Sequence, residues 1–201
     1  VDDVFLVTVN AVNDPPTVAN PIADVTVDED APNTVIDLTN VFTDVDNDPA
    51  LIVKTVQGNT NAALVTASIS GNTLTLDYQM NQNGTATITI RGTSGGQYVD
   101  DVFLVTVNAV NDPPTVANPI ADVTVNEDAP NTVIDLTNVF TDVDNDPIVK
   151  TVQGNTNATL VTASISGNTL TLDYQANQSG TATITIRGTS GGQFVDDVFL
   201  V

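Results

Sequence analysis

Short runs in which apolar and polar residues alternate recur along the chain, separated by turns rich in Gly, Asn, Asp and Pro. Residues 85–90, Thr-Ala-Thr-Ile-Thr-Ile, are the clearest example. A period of two places alternate side chains on opposite faces of a β-strand. The dipeptide Gly71-Asn72 joins two further runs and predicts a hairpin turn. Because no run shows the period of a helix, the pattern predicts an all-β protein.

The sequence Val-Asp-Asp-Val-Phe-Leu-Val occurs three times, beginning at positions 1, 99 and 195. The two spacings differ because the second copy lacks the equivalents of Ala50 and Leu51. A period near 100 residues fits whole domains in tandem, since solenoid units are about 20–50 residues long. We therefore expect the last strand of a preceding repeat with its linker at 1–14, a complete repeat at 15–112, and a second repeat at 113–201 that is truncated in its last strand.

Each period contains about seven predicted strands, which indicates tandem antiparallel Greek-key β-sandwiches. We expect the first strand, at 17–27, to be interrupted at Pro21, and Val41 and Phe42 to turn into the core. The aromatic residues at predicted core positions are Phe42, Tyr78, Tyr98 and Phe103.

Residues 2–9 alternate as a strand does, but residues 100–107 have the same sequence and fill that position in the first repeat. The stretch 2–9 therefore has no predicted partner within the first repeat. We expect it to pair with another molecule, because an unpaired strand edge is a template for a second chain.

The charge is one-sided, with 25 Asp and Glu against 4 Lys and Arg and a formal net charge of −21. Nucleic acid and anionic membrane surfaces both attract clustered cations, so neither is an expected partner. The 41% of hydrophobic residues lie mostly in alternating runs and predict a folded core. No apolar run approaches the roughly 20 residues of a membrane helix, so membrane insertion is not expected.

The chain contains neither Cys, His nor Trp. Disulfides, thiol nucleophiles, Cys and His zinc sites and the Ser-His-Asp and Cys-His catalytic arrangements are therefore excluded. Paired carboxylates such as Asp44 and Asp46 remain as a catalytic option, but their loop carries no Lys, Arg or His to bind a substrate. We expect no enzyme activity.

Acidic and amide side chains concentrate in loops at both ends of each predicted sandwich. Counting strand directions brings three sets to each joint: a loop of one repeat, the linker, and the Asp-x-Asp-x-Asp loop of the next. Calcium takes about six to eight oxygen ligands and suits such sets, although Asp and Asn also simply favour turns. The candidate Ca²⁺ ligands are Asn13, Asp14, Asp28, Glu29, Asp30, Asp44, Asp46, Asp48, Asn111, Asp112, Glu127, Asp128, Asp142, Asp144 and Asp146.

Four motifs in each period carry a family resemblance. In the first period they are Val-Asn-Asp-Pro-Pro-Thr at 12–17, Val-Asp-Glu-Asp-Ala at 27–31, Phe-Thr-Asp-Val-Asp-Asn-Asp-Pro at 42–49 and Asn-Gly-Thr-Ala-Thr at 83–87. Together they resemble the bacterial cadherin-like tandem repeats of large surface and adhesin proteins. The resemblance implies an Ig-like sandwich with calcium between a Glu of one domain, the linker, and an Asp-x-Asp of the next. At the middle joint it implies that Glu29, Asp112, Asp142 and Asp144 are the leading ligands.

The function that fits these features best is a non-enzymatic structural spacer of a long extracellular repeat protein, such as a stalk, adhesin extender or filament. Near-identical copies suit a spacer, because selective ligand binding does not need one surface many times. Neighbouring repeats of the same chain would be its partners, with strand pairing between copies as an option. The alternative is an adhesive module that binds itself or a glycan, against which the scarcity of exposed aromatic residues counts. The resemblance implies an extracellular or cell-surface location in a bacterium.

Overall fold

The computed structural model describes residues 3–201 and divides into two compact units. The first ends at Val110, and the second comprises Asn111–Val201. This division lies two residues before the boundary expected after residue 112, so the linker residues Asn111 and Asp112 group with the second unit. Each unit is an all-β sandwich, as the alternating pattern predicts.

The first unit contains two main sheets that enclose one core. They have the orders β2-β9-β8-β5 and β3-β7-β6, and β1 pairs with β4 beside them. The pair β2–β9 is parallel and the other pairs are antiparallel. The strands are β1 (Thr17–Val18), β2 (Val25–Asp28), β3 (Thr34–Asp37), β4 (Phe42–Thr43), β5 (Val53–Asn59), β6 (Val65–Ser70), β7 (Thr73–Tyr78), β8 (Gly84–Ser94) and β9 (Gln97–Asn108).

The second unit repeats this arrangement with one strand fewer. Its sheets have the orders β13-β16-β17, β11-β15-β14 and β10-β12. In the first unit β2 pairs with the end of β9, from Val105 onward. The residues equivalent to β2, 123–126, form no strand, and the amide of Val123 donates a 2.8 Å hydrogen bond to the carbonyl of Leu200. The strands are β10 (Thr115–Val116), β11 (Thr132–Asp135), β12 (Phe140–Thr141), β13 (Val149–Asn155), β14 (Val161–Ser166), β15 (Thr169–Tyr174), β16 (Thr183–Ser190) and β17 (Gln193–Leu200).

Alternation along the strands builds both cores. In β8, Ile88 and Ile90 are buried, while Thr87 and Thr89, which alternate with them, are partly exposed. The expected inward turn is confirmed, because Val41 and Phe42 are buried. The Phe42 ring packs directly on the backbone of Gly92, where a β-carbon would lie 2.7 Å from the ring.

The predicted core position of Tyr98 is wrong. Its side chain is 56% exposed, because the period of two that buries Phe103 and Val105 places Tyr98 on the other face of β9. The Arg91 guanidinium lies 3.6 Å from the centre of the Tyr98 ring and forms a bidentate ion pair with Asp100. Phe194 has the same place in the second unit, beneath Arg187.

The strand predicted at 2–9 is not formed in the part that the structure describes, residues 3–9, while Val1 and Asp2 lie outside the described residues. Phe5 is 80% exposed, whereas Phe103 in the identical sequence is 2% exposed within β9. Residues 97–108 already occupy the position between β2 and β8, so the first unit offers no second place for the same strand. Within residues 3–201, no helix is long and apolar enough to span a membrane.

Candidate metal centres at the ends of each unit

The linker before the second unit is held against the acidic loop that follows β12. The amide of Asp112 donates a 2.7 Å hydrogen bond to Oδ2 of Asp144. From the other side, the Gln193 side chain donates a 2.7 Å hydrogen bond to the carbonyl of Asn111. The two bonds orient the Asn-Asp dipeptide at the top of the sandwich.

The linker before the first unit has the same arrangement. The amide of Asp14 donates to Oδ2 of Asp46 at 2.7 Å, and the Gln97 side chain donates to the carbonyl of Asn13 at 2.8 Å. The Asn13 carboxamide also accepts a 3.0 Å hydrogen bond from Asn47. Each sandwich therefore carries its own preceding linker as a fixed part of its end.

A buried aspartate underlies each acidic loop. Oδ1 of Asp142 accepts the amide of Asp144 at 3.0 Å, while its Oδ2 is buried and has no hydrogen-bond partner. A buried acceptor left in this condition costs free energy unless a cation or water satisfies it. Oδ2 of Asp142 is therefore the oxygen that most directly indicates a ligand at this end of the unit.

Asp44 is the equivalent residue in the first unit. Its pKa is lowered, chiefly by the Ser94 hydroxyl and further by the backbone amides of Asp46 and Asn47. Those two amides bond to Oδ1, at 2.8 and 3.0 Å. The Ser94 hydroxyl lies near the carboxylate, but no hydrogen bond of normal geometry reaches the buried Oδ2. The environment of Asp44 thus favours its charged form.

The carboxylates of Asp112 and Asp144 lie close together, with oxygens within 4.8 Å of one another. Two such charges repel by an amount on the order of 3 kcal/mol at an effective dielectric constant near 20. Hard oxygen donors of this kind, without Cys or His, match Ca²⁺ better than Zn²⁺. The second unit thus presents the neighbouring carboxylates of Asp112 and Asp144, with Asp142 bonded to the amide of Asp144 and the Asn111 carboxamide bonded to the carbonyl of Asp112.

At the opposite end of the first unit, Glu29 is 6% exposed and its Oε1 accepts a 2.5 Å hydrogen bond from the amide of Val110. Asn108 donates to the neighbouring Asp28 at 3.1 Å. Glu29 thereby holds the chain where it leaves β9. Its counterpart Glu127 in the second unit is exposed.

Three other predicted ligands form hydrogen bonds within the fold, and a fourth is exposed. Asp30 and Asp128 have positive φ and accept hydrogen bonds from the amides of Asn81 and Asn177. Asp48 caps a short 3₁₀ turn at Pro49–Leu51, and Asp146 is exposed. These contacts explain Asp30, Asp48 and Asp128 as turn formers, and the proposed metal roles of all four residues remain predictions.

Sequence reasoning missed the residues that position the linkers, namely Gln97 and Gln193, and the hydroxyl of Ser94. The only signal was the Gly-Gly pair beside them, which predicts a tight turn but not its contact with a linker. It also missed Asp101 and Asp197, which lie in the sandwiches and accept the amides of Ile22 and Ile120. These two acids are structural, since each satisfies a buried backbone donor.

Comparisons with known proteins identify the fold. No family model and no curated protein matches the chain. The solved structure of extracellular cadherin domains 1–4 of protocadherin gamma B7 matches 92% of the chain at 16% identity with a TM-score of 0.50, and the chain spans 48% of that structure. Human protocadherin-24 domains EC1-2 match 90% of the chain at 17% identity, with a TM-score of 0.49 and 93% of that structure covered.

An endo-fucoidan hydrolase of glycoside hydrolase family 107 also matches 92% of the chain, at 18% identity. Its TM-score is 0.39 and the chain spans 28% of that enzyme, so this likeness carries no argument about activity. The fold is therefore that of a cadherin-like β-sandwich, all-β and repeated in tandem. The expected Ig-like sandwich class is confirmed at this level.

Proposed function

We propose that this chain is a non-enzymatic structural spacer of a long extracellular repeat protein, with joints that Ca²⁺ makes rigid. The observation that carries the proposal is the clamp on the linker: the amide of Asp112 bonded to Asp144, beside the buried and unpartnered Oδ2 of Asp142. A linker that served only as a tether would not need its backbone fixed against carboxylates. Fixing the linker backbone at this position places the carboxylate of Asp112 close to the carboxylates of the acidic loop.

The covalent chain supports a role for Glu29 in the same site. Val110 donates to Glu29 and Asp112 donates to Asp144. The two amides are two residues apart, a span of at most about 7 Å even in an extended chain. We therefore infer that Glu29, Asp112, Asp142 and Asp144 bind Ca²⁺ together, with further oxygens from Asn111, backbone carbonyls or water.

The near-identity of the repeats supports the spacer role. A spacer that holds two parts of a protein a fixed distance apart needs many segments of equal length. A repeated sequence supplies such segments, and every joint between them then has the same structure. Because the acids lie at the ends of the units while the cores are apolar, Ca²⁺ would act on the stiffness of the joint rather than on the sandwich itself. The partners are neighbouring repeats, at an extracellular or cell-surface location.

The alternative function is an adhesive module. The exposed rings of Tyr98 and Phe194 support it, because an exposed aromatic ring offers a surface on which a sugar can pack. However, the guanidinium groups of Arg91 and Arg187 lie over these rings, and a sugar would have to displace them. Binding assays against a glycan panel would distinguish this function from the spacer.

Calorimetric Ca²⁺ titration tests the joint. The double variant Asp112→Asn, Asp144→Asn keeps the side-chain shapes and removes two charges. We expect one class of sites to be lost, with unchanged far-UV circular dichroism. The matched control is Asp77→Asn, Asp173→Asn, which removes two exposed charges from β7 and β15. Identical isotherms for both double variants would contradict the assignment and leave the linker acids as turn formers.

A further inference from the structure

The loop between β7 and β8 differs between the two units in one residue that matters chemically. In the first unit the loop ends at Asn83, which Gly84 follows, and this is the only Asn-Gly dipeptide of the chain. In the second unit Ser179 stands at the position of Asn83 and is also followed by Gly. The chain therefore contains its own comparison for any reaction that needs the carboxamide of Asn83.

The side chain of Asn83 is exposed and lies outside the strands, one residue before β8 begins. In the part of the chain that the structure describes, residues 3–201, no hydrogen bond holds its carboxamide. The carboxamides of Asn20 and Asn59, by contrast, donate 2.7 Å hydrogen bonds to backbone carbonyls. The Asn83 carboxamide is therefore not held in one orientation and can turn toward the backbone that follows it.

Gly84 leaves open space beside its amide nitrogen. Its φ is 131°, a backbone conformation that favours glycine, and a β-carbon at Gly84 would meet nothing within 4 Å. Gly84 pairs with Val107, and this is the last pair of the β8–β9 ladder. The end of a ladder opens more readily than its middle. The Gly84 nitrogen can therefore reach the neighbouring carboxamide without unfolding of the unit.

We propose that Asn83 is a site of spontaneous deamidation, and that the second unit has no such site at the equivalent position. The amide nitrogen of Gly84 attacks Cγ of Asn83 and gives up its proton. The new bond closes a cyclic imide, while the carboxamide C–N bond breaks and its nitrogen leaves with that proton as ammonia. Water then opens the ring at either carbonyl and yields aspartate or isoaspartate. Ser179 has no side-chain carbonyl carbon to attack, so it does not react.

Deamidation would place a new carboxylate beside an acidic loop. The amide of Asn81, two residues before Asn83, donates a 3.0 Å hydrogen bond to Oδ1 of Asp30. The reacting loop thus lies against the loop that also contains Glu29. Isoaspartate would in addition lengthen the backbone by one carbon just before β8. The first unit would therefore gain negative charge at the end where Glu29 lies.

Peptide mapping of the full chain by mass spectrometry tests the proposal. The folded protein is incubated at physiological temperature at several pH values from neutral to mildly alkaline. We expect residue 83 to convert progressively to aspartate and isoaspartate, and to convert faster at higher pH because the attacking nitrogen must lose its proton. The reaction involves no metal, so its outcome leaves the calcium proposal untouched. An Asn83 that stays unchanged at every pH would overturn the proposal.

Asn177 is the internal standard for this experiment. It is an exposed residue of the equivalent loop in the second unit, and Gln178 rather than Gly follows it. Its conversion should be several times slower, because a side chain on the following residue hinders approach of the nitrogen. Equal rates at Asn83 and Asn177 would contradict a special role of Gly84.

The same incubation in denaturant separates the folded loop from the bare dipeptide. Conversion of Asn83 in denaturant but not in the folded chain would show that the pairing of Gly84 with Val107 protects it, and would refute the proposal. We expect conversion in both conditions.

Two variants exchange the chemistry of the two loops. Asn83→Ser gives the first unit the residue of the second and should abolish the conversion, with unchanged far-UV circular dichroism. Ser179→Asn gives the second unit an Asn-Gly dipeptide and should introduce conversion at position 179. Conversion of the same peptide in Asn83→Ser would place the reaction at another residue, and an unreactive Ser179→Asn would show that this loop does not support it.

Discussion

The carboxamide of Asn111 lies against the α-carbon of Gly191, so closely that a β-carbon at Gly191 would overlap its oxygen. Gly191 begins the Gly-Gly turn between β16 and β17 and has a φ of 53°. The turn thus has two requirements, a left-handed backbone and space for the linker. The same contact joins Asn13 and Gly95 in the first unit. A hairpin turn and the candidate metal centre are therefore coupled through one glycine.

Gly191→Ala should displace Asn111 and weaken Ca²⁺ binding at the end of the second unit. Gly192→Ala is the matched control, because Gly192 also has positive φ but a β-carbon there would meet nothing within 4 Å. Both variants should lose stability through backbone strain, on the order of 1 kcal/mol. Only Gly191→Ala should also lower Ca²⁺ affinity in calorimetry. Equal Ca²⁺ affinities would disconnect Asn111 from the site.

Identical heptapeptides in different surroundings allow a direct test of context. Phe103→Ala should destabilise the first unit by about 3–5 kcal/mol, because it empties a large buried site. Phe5→Ala should leave the free energy of unfolding within about 0.5 kcal/mol of the parent, as expected for an exposed side chain. Chemical denaturation followed by circular dichroism measures both. A large loss of stability in Phe5→Ala would mean that residues 3–9 are packed in solution.

The approach of Phe140 to Gly188 predicts a packing requirement in the second unit. A β-carbon at Gly188 would lie 2.8 Å from the Phe140 ring, so Gly188→Ala should cost about 1–3 kcal/mol through overpacking. At Gly154 the nearest atom would lie 3.4 Å away, a much milder contact with a side-chain hydroxyl. Gly154→Ala is accordingly the control, with a smaller expected change in the denaturation midpoint. Reversal of this order would contradict the packing argument.

The ion pair of Arg187 and Asp196 predicts a dependence of stability on pH. The hydrogen bond from Arg187 lowers the pKa of Asp196, so the folded state binds its proton less readily than the unfolded state. The resulting stabilisation is present above the unfolded pKa, about 3.9, and is lost as the pH falls through the lower folded pKa.

Asp196→Asn should therefore lower the free energy of unfolding near neutral pH. In acid, the difference in free energy of unfolding between this variant and the parent should become smaller. Thermal unfolding over a series of pH values measures this, with Asp173→Asn as the control for removal of one charge. Parallel pH curves for Asp196→Asn and the parent would show that the ion pair contributes nothing that titrates.

Removal of Ca²⁺ should loosen the joint more than the sandwiches, because each core is apolar and the acids lie at the ends. Small-angle scattering of monomeric chain with chelator should show a broader range of dimensions than with Ca²⁺, at unchanged circular dichroism. Unfolding of both units before any change in dimensions would instead place the ions within the domains.

The local pattern of the sequence was enough to predict most of the strands, the turns and the two repeats. Ile88 and Ile90 alternate with Thr, and that period selects a half-buried strand whatever lies around it. The acidic loops and the linker acids were also evident, since Asp and Asn cluster between the runs. The family resemblance named Glu29, Asp112, Asp142 and Asp144 together, and their joint role in binding Ca²⁺ stays a prediction.

Only the tertiary structure decided which copy of a repeated sequence becomes a strand. Phe5 and Phe103 have the same neighbours along the chain, but Phe103 lies in β9, which pairs with both β2 and β8, and Phe5 has no such place. Likewise, strand register decides on which side of β9 Tyr98 lies. The contact of Gln193 with Asn111 joins residues more than 80 positions apart in the sequence. The alternation of apolar and polar residues specifies that one face of a strand can be buried. Which of two identical segments is buried depends on the strands available to pair with it.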